Sequence, residues 1–273
     1  MIKWMTIFLC LCLSGCSKYL FYPMPNHVLE PSVLGIQYEN ISINSTDGIM
    51  LHGWWLHAKD QSKATVLFFH GNAQNISTHI EHVYWLTNYG YDVVAIDYRG
   101  YGASQGLPSV SGSIDDIRAA IRYAASDERV GSNPIFVIGQ SLGGSLAVAA
   151  MAADDIKIHI NALIVISAFS DYRQITQDVL SSSWITWVLQ WPLSFTVDNS
   201  YSPEKLIKYI VPIPVLIMHG NEDKIVSVSH AKRLYALAAE EKFIEILPGR
   251  HNNILNNKDN RTVLIEYLEK FMH

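Results

Sequence analysis

Beyond position 16 the sequence has no cysteine. Its three cysteines are Cys10, Cys12 and Cys16. A domain built from the remainder can therefore hold no disulfide framework, no thiolate metal site and no cysteine nucleophile. Charge is also scarce: charged residues make up 16% of the chain, against about 25% in an ordinary soluble protein. The net charge is −5 and no basic run or stripe occurs, which excludes the electrostatic footprint of a nucleic-acid binder. A third absence is one of length. The most apolar early stretch, Trp4 to Leu13, falls well short of the roughly 20 residues that span a bilayer. What the chain does have is apolar substance: 49% of its 273 residues are hydrophobic, enough to bury the core of one large α/β domain.

The short apolar run has another reading. Met1-Ile2-Lys3 is a positive start, and the run that follows has the length of a secretory signal. It ends in Leu13-Ser14-Gly15-Cys16, which resembles the lipobox of bacterial lipoproteins. That resemblance implies a lipoprotein signal peptide over 1–15, lipidation of Cys16 and a lipidated tether over 16–34. An ordinary cleaved signal or a short uncleaved anchor is the alternative. A single remaining thiol suits an oxidising compartment. Ser17, where Asp would signal the inner membrane, implies by the same resemblance an outer-membrane location in the bacterial envelope. The tether carries Pro23, Pro25 and Pro31 and no clear period, and is expected to pack loosely on the domain.

From about residue 35 onward the pattern is regular. Ile36 to Ile43 and Ile49 to His57 alternate around Asp47-Gly48, which predicts a β-hairpin. Six short apolar runs follow: Ala64 to Phe69, Asp92 to Ile96, Ile135 to Ile138, Ala162 to Ile166, Val215 to Met218 and Phe243 to Leu247. Continuous runs of this length read as strands buried on both faces. Helical stretches separate them, at Ile76 to Tyr89, Ile114 to Ala125, Leu142 to Ala153, Ser229 to Ala239 and Arg261 to Met272. The alternation predicts an α/β fold, a mostly parallel central sheet with helices on both faces. Ligands of such sheets bind beyond the carboxyl ends of the strands. Residues from about 170 to 211 break the alternation, and are expected to form a small helical cap within a domain spanning 35–273.

The chemistry-bearing motif is Gly139-Gln140-Ser141-Leu142-Gly143, placed between a strand and a helix. There a serine sits on a sharp, strained turn, and glycines flank it because larger side chains would strike the strand and helix. A serine hydroxyl needs a base, and the base needs an acid. Chain order predicts acid, then histidine, after the serine. Asp223 follows the fifth of the six runs and His251 follows the last, so the candidate catalytic residues are Ser141, Asp223 and His251. Rival acids are Asp171 and Glu222; the rival base is His219. The loop His70-Gly71-Asn72-Ala73 follows the first of the six runs and is expected to supply an oxyanion donor at the Asn72 amide, with Leu142 supplying the other; a plain glycine turn is the alternative. His79 and His82 share a helical spacing without a third ligand in sequence, so neither metal nor cofactor is expected.

Taken together, His70-Gly71-Asn72-Ala73, Asp97-Tyr98-Arg99-Gly100-Tyr101-Gly102, Gly139 to Gly144, His219-Gly220-Asn221-Glu222-Asp223 and His251-Asn252 resemble the α/β-hydrolase-domain serine hydrolases. The resemblance covers roughly residues 35 to 272. It is nearest to a subgroup that includes membrane-associated protein depalmitoylases and lysophospholipid or monoacylglycerol lipases. It implies an α/β-hydrolase fold and hydrolysis of an acyl ester or thioester through an acyl-enzyme. A peptidase or amidase using the same triad is an alternative, as is a catalytically silent lipoprotein that binds envelope components. In the cap, Trp184, Trp187, Val188 and Trp191 fall on one helical face. That face either packs on the domain or lines an acyl pocket or touches lipid headgroups, where tryptophan is enriched. Expected partners are a small acyl substrate and, through Cys16, a membrane.

Overall fold

The computed structural model describes residues 21–181 and 184–272. Cys16 and the signal peptide lie outside them. An eight-stranded sheet organises the chain. Its strands are β1 (Tyr38–Asn44), β2 (Met50–Leu56), β3 (Ala64–Phe69), β4 (Tyr91–Ile96), β5 (Ile135–Gln140), β6 (Ala162–Ile166), β7 (Val215–Gly220) and β8 (Lys242–Leu247). The spatial order is β8-β7-β6-β5-β3-β4-β2-β1. β1 pairs with β2, and β2 with β4, antiparallel; the other pairings are parallel. The hairpin turns at Gly48, whose φ of 83° glycine adopts without steric cost.

The parallel strands β3 to β7 are mainly apolar and buried along their length because both of their faces are covered, whereas the edge strand β8 keeps Lys242 and Glu245. Leu67, Phe69, Val137, Leu163, Val165 and Ile217 point to one face. There they meet α1 (Val110–Ser126), α2 (Leu142–Met151) and, further along the chain, α4 (Val228–Leu237). Their neighbours Val66, Phe68, Phe136, Ile138, Ile164 and Met218 point to the other. That face packs on the segment 76–89 and on α5 (Lys258–Lys270). The period of two along every strand distributes side chains between these cores. Chain direction diverges at β3: the next strand lies on one side of it and β5 on the other. The crevice beyond the paired ends Phe69 and Gly139 is thus the switch point where such sheets bind ligands.

Three elements depart from the sequence reading. The expected helix from Ile76 to Tyr89 is a single α-turn, Ile76–His79, followed by 3₁₀ turns at Ile80–His82 and Tyr84–Tyr89. There Leu86 N–H donates to the Val83 carbonyl three residues back, and the Trp85 indole N–H takes the His82 carbonyl at 2.7 Å. The adjacent Trp85 and Leu86 are both buried. Nor does the stretch 21–34 pack loosely. Phe21 is buried, and Tyr22–Pro23 pairs in parallel with Ala73–Gln74. The Asn75 amide donates to the carbonyls of Met24 and Asn26 at 3.0 and 2.8 Å. In the cap, α3 (Tyr172–Ser181) is followed by short turns, Trp187–Leu189 and Gln190–Ser194, not by one long helix. Trp184, Trp187, Val188 and Trp191 are 87, 57, 64 and 58% exposed, so these side chains do not pack on the domain.

Candidate active site

Ser141 sits between β5 and α2 with φ 53° and ψ −118°. A non-glycine residue there stores on the order of 1–3 kcal/mol of strain, and the surroundings must hold it. They do so through the main chain. Ser141 N–H donates to the Ile166 carbonyl at 2.8 Å, and Ser145 N–H returns to the Ser141 carbonyl at 3.1 Å. The Ser145 hydroxyl donates to Phe169 O at 2.9 Å. The flanking glycines leave no room for substitution. A Cβ on Gly139 would lie 2.6 Å from Gly144 Cα, and one on Gly143 would collide with the carbonyls of Phe69 and His70.

The loops after β7 and β8 interlock. Asn221 N–H donates to Leu247 O at 2.8 Å, and Glu222 N–H to Gly249 O at 2.9 Å. This lacing sets Asp223 beside His251, and His251 beside Ser141. His251 Nδ1 lies 2.7 Å from Asp223 Oδ2, and His251 Nε2 lies 2.9 Å from Ser141 Oγ. The carboxylate fixes the tautomer: Nδ1 carries the proton and donates, so Nε2 offers a lone pair to the serine hydroxyl. Asp223 Oδ1 accepts the N–H groups of Ile225 and Val226 at 2.8 and 2.9 Å. Burial alone would raise the Asp223 carboxyl. Hydrogen bonds with His219, His251 and Val226 N–H outweigh it and hold the group far below the usual carboxylate range.

The rivals are engaged elsewhere. Asp171 accepts from the Gln174 N–H at 2.7 Å and from the Asn199 amide, as a helix cap. Glu222 is exposed and faces Arg250 at 4.0 Å. His219 is fully buried and donates from Nε2 to Val226 O at 2.9 Å, with Asp223 Oδ2 at 3.3 Å. It supports the acid from below. The only hint in the sequence was its spacing of four from Asp223.

The Asn72 loop lies against the serine turn: a Cβ on Gly71 would be 3.6 Å from Ser141 Cβ. The loop is fastened from the Asp97 to Gly102 turn and from the N-terminal segment. Tyr98 OH donates to His70 O at 3.0 Å and Tyr101 OH to Asn72 O at 2.6 Å. Tyr22 N–H donates to the Asn72 side-chain oxygen at 3.1 Å. These bonds occupy the Asn72 carbonyl and side chain. Leu142 is buried at the first turn of α2, whose amides point out of the helix end. Arg99, between the two tyrosines, is clamped by Asp116 (2.7 Å) and Asp47 (2.7 Å), so the Asp97 to Gly102 turn is a scaffold for the loop.

Two buried histidines near the site, His70 and His82, are held below the ordinary imidazole range. Burial pushes His70 down to about 3 and His82 to about 4, His82 also feeling His79 and His251. His79 and His82 gather no third metal ligand among the described residues. Beyond Asp223 opens a cleft of about 370 Å³ whose lining includes Gln174, Asp178, Ile225, His230 and Arg233. His230 joins cap to core, with Nδ1 3.1 Å from Ser170 N and Nε2 3.0 Å from Asp178.

This sheet order, with a serine turn after β5 and an acid and histidine after β7 and β8, defines an α/β-hydrolase. The chain belongs to the serine aminopeptidase S33 family, whose sequence profile matches residues 60–212. The matched region contains Asn72 and Ser141 and ends before Asp223 and His251. Among relatives, the uncharacterized protein YfhR of Escherichia coli is 32% identical over 225 residues, covering 81% of this chain and 75% of its own length. The α/β-hydrolase domain-containing protein WAV2 of Arabidopsis thaliana is 33% identical over 241 residues, covering 83% of this chain and 76% of its own. An esterase of Pyrococcus furiosus shares the fold, with a TM-score of 0.77 and 20% identity over 93% of this chain and 99% of its own.

Proposed function

We propose that this hydrolase cleaves a carboxylic ester or thioester of an acyl substrate through an acyl-enzyme, with Ser141 as nucleophile, His251 as base and Asp223 as orienting acid. The observation that carries the reading is the unbroken relay of 2.9 and 2.7 Å from Ser141 Oγ through His251 to Asp223. His251 Nε2 takes the hydroxyl proton as Oγ attacks the acyl carbon. The imidazolium so formed is stabilised by Asp223 and returns the proton to the leaving alkoxide or thiolate. The Asn72 and Leu142 amides receive the oxyanion, and each such donor contributes about 2.7–4 kcal/mol to the transition state. A water, activated by the same histidine, then releases the acid.

The test is a fluorophosphonate probe and a panel of p-nitrophenyl esters of increasing chain length. Labelling and turnover are expected in the wild type and absent in Ser141→Ala. Labelling that survives the substitution would remove Ser141 from the mechanism. A second reading, amide hydrolysis by the same relay, is favoured by the family's description as serine aminopeptidases. Aminoacyl anilides turned over faster than every ester would select it.

The same proposal places the enzyme at a bacterial membrane, in the outer membrane, anchored through Cys16. The apolar cap surface around Trp184, Trp187 and Trp191, open to solvent, supports it, because tryptophan favours the headgroup region. Incorporation of an alkyne fatty acid should disappear in Cys16→Ser. Persistent incorporation in that variant would disprove the anchor.

A further inference from the structure

On the far side of the Asn72 loop, three residues from distant parts of the chain converge. His27 comes from the N-terminal segment, His52 from β2 and Asp97 from the end of β4. His27 Nε2 lies 2.7 Å, and His52 Nδ1 3.6 Å, from Asp97 Oδ2, and one ligand atom from each of the three falls within 4.8 Å of the others. The Asp97 side chain is wholly buried, while those of His27 and His52 keep 13 and 17% of their surface exposed. That exposure gives a small ion a route in.

The tautomer of His52 is set by its second nitrogen. Asn40 Oδ1 accepts the indole N–H of Trp54 at 3.1 Å. Since an indole nitrogen can only donate, this atom is the amide oxygen. His52 Nε2 lies 3.0 Å from the same oxygen and is therefore the ring's protonated nitrogen. The neutral ring turns the lone pair of Nδ1 toward Asp97, and that buried atom has no hydrogen-bond partner. His70 repeats the arrangement on the other side of the carboxylate. Its Nδ1 donates to Gly71 O at 2.7 Å, and its unpartnered Nε2 faces Asp97 Oδ1 at 3.8 Å. Acceptors facing a buried carboxylate are mutually repulsive, and a cation turns that repulsion into attraction. A histidine whose distal N–H is held by an oxygen, with its lone pair aimed at a shared point, is the arrangement that second-shell groups impose on metal ligands.

We propose that His27 Nε2, His52 Nδ1 and Asp97 Oδ2 form a binding site for a divalent transition-metal ion, zinc by ligand type, that clips the N-terminal segment to the hydrolase core. Two imidazoles and a carboxylate suit zinc, with solvent as the fourth ligand. Tetrahedral bonds of about 2.0–2.1 Å put ligand atoms roughly 3.3 Å apart. His27 and Asp97 need to part by about 0.6 Å, and His52 and Asp97 to close by about 0.3 Å, to meet that spacing. Zinc displaces the proton shared by His27 and Asp97, so uptake releases a proton to solvent. Five residues before His27, Tyr22 N–H holds the Asn72 side chain. The clip therefore braces the segment that buttresses the candidate oxyanion loop. The inference does not depend on the proposed hydrolytic reaction.

The experiment uses the full-length chain in detergent, its three cysteines replaced by serine so that no thiol competes. After chelation the protein is titrated with Zn2+ and Co2+ at pH 7.5. The expected result is one equivalent bound, a visible absorption of four-coordinate Co2+, and a melting temperature raised by zinc. His27→Gln and His52→Gln are each expected to weaken binding by more than about 100-fold, and Asn40→Ala by about tenfold. His251→Gln should bind as the parent does. Histidine ring ¹⁵N spectra of the parent chain supply a reading independent of variant folding, with zinc moving the His27 and His52 signals and leaving His251 in place. No uptake at micromolar zinc, unaltered binding in both His27→Gln and His52→Gln, or zinc shifts confined to His251 would each overturn the site.

Discussion

Replacing Asp223 by asparagine separates orientation from every other property of the site. The carboxylate is wholly buried at the side chain and accepts on both oxygens, from Ile225 and Val226 N–H on Oδ1 and from His251 Nδ1 on Oδ2. An asparagine keeps its oxygen against the two main-chain donors, so its amide nitrogen must face His251. Donor then meets donor at 2.7 Å, unless the imidazole moves its proton to Nε2. In that tautomer Nε2 points a proton at Ser141 and can no longer accept one. The carboxylate that would steady the imidazolium is gone as well. The expected loss in kcat is about 10⁴-fold, the size of the same exchange in a serine-protease triad, or roughly 5.5 kcal/mol of barrier. Because the turn bonds survive, unfolding free energy should change by less than about 2 kcal/mol. Turnover of a p-nitrophenyl ester gives the first quantity and urea denaturation the second. Asp171→Asn is the companion measurement. That carboxylate caps α3, so its variant should lose under about tenfold in rate. An Asp223→Asn enzyme within tenfold of wild type, or an Asp171→Asn enzyme as impaired as it, refutes the assignment of the acid.

Other consequences are as concrete. Gly143→Ala forces a methyl group into the carbonyls of Phe69 and His70; overpacking of this kind costs about 1–3 kcal/mol, and the displaced Leu142 amide should lower kcat more than KM. Asp116→Asn leaves Arg99 without its buried partner, and breaking such a pair costs about 3–5 kcal/mol, readable as a lower urea midpoint. For Asp97, burial works to raise the carboxyl, but the hydrogen bonds from His27 and from the Ile76 N–H hold it at about 2, below the ordinary 3.8. A depressed carboxylate stabilises the fold in full above its unfolded value and ceases to do so once pH has fallen through about 2. That acid limb is worth about 2 kcal/mol, and an Asp97→Asn variant titrated from pH 5 to 2 should have a flatter stability curve than wild type.

Most of the sheet could be read from the sequence because both faces of each central strand are buried, so apolar runs such as Ala64 to Phe69 and Ile135 to Ile138 stand out without alternation. The serine turn was legible for a steric reason: glycine at 139 and 143 is demanded by main chain of the same turn and of β3. Elsewhere local pattern was a poor guide. From Ile76 to Tyr89 a helical period is present, but consecutive residues Trp85 and Leu86 are both drawn into the core, which tighter turns permit. The cap's tryptophans have helical spacing over a segment whose turns do not form one helix. Asp171 and Asp223 each follow a strand, and only the lacing of the β7 and β8 loops decides which carboxylate His251 meets. The cluster of His27, His52 and Asp97 has no spacing signature at all, because three separate segments bring it together.

If the chain is anchored through Cys16 as proposed above, the bond between Tyr22 and the Asn72 side chain would also limit how far the enzyme can roam. From Cys16 to Phe21 there are five residue steps, which extend to at most about 18 Å. In the anchored form proposed above, at most that length separates the lipidated residue from Phe21, and the neighbouring Tyr22 N–H already holds the Asn72 side chain. Such an enzyme works on a short leash. It would meet substrates embedded in its own leaflet and would be unable to reach across to a neighbouring vesicle. Its rate on membrane substrates should follow their surface density, not their bulk concentration, and lengthening the leash by a flexible insertion before Phe21 should relax that dependence.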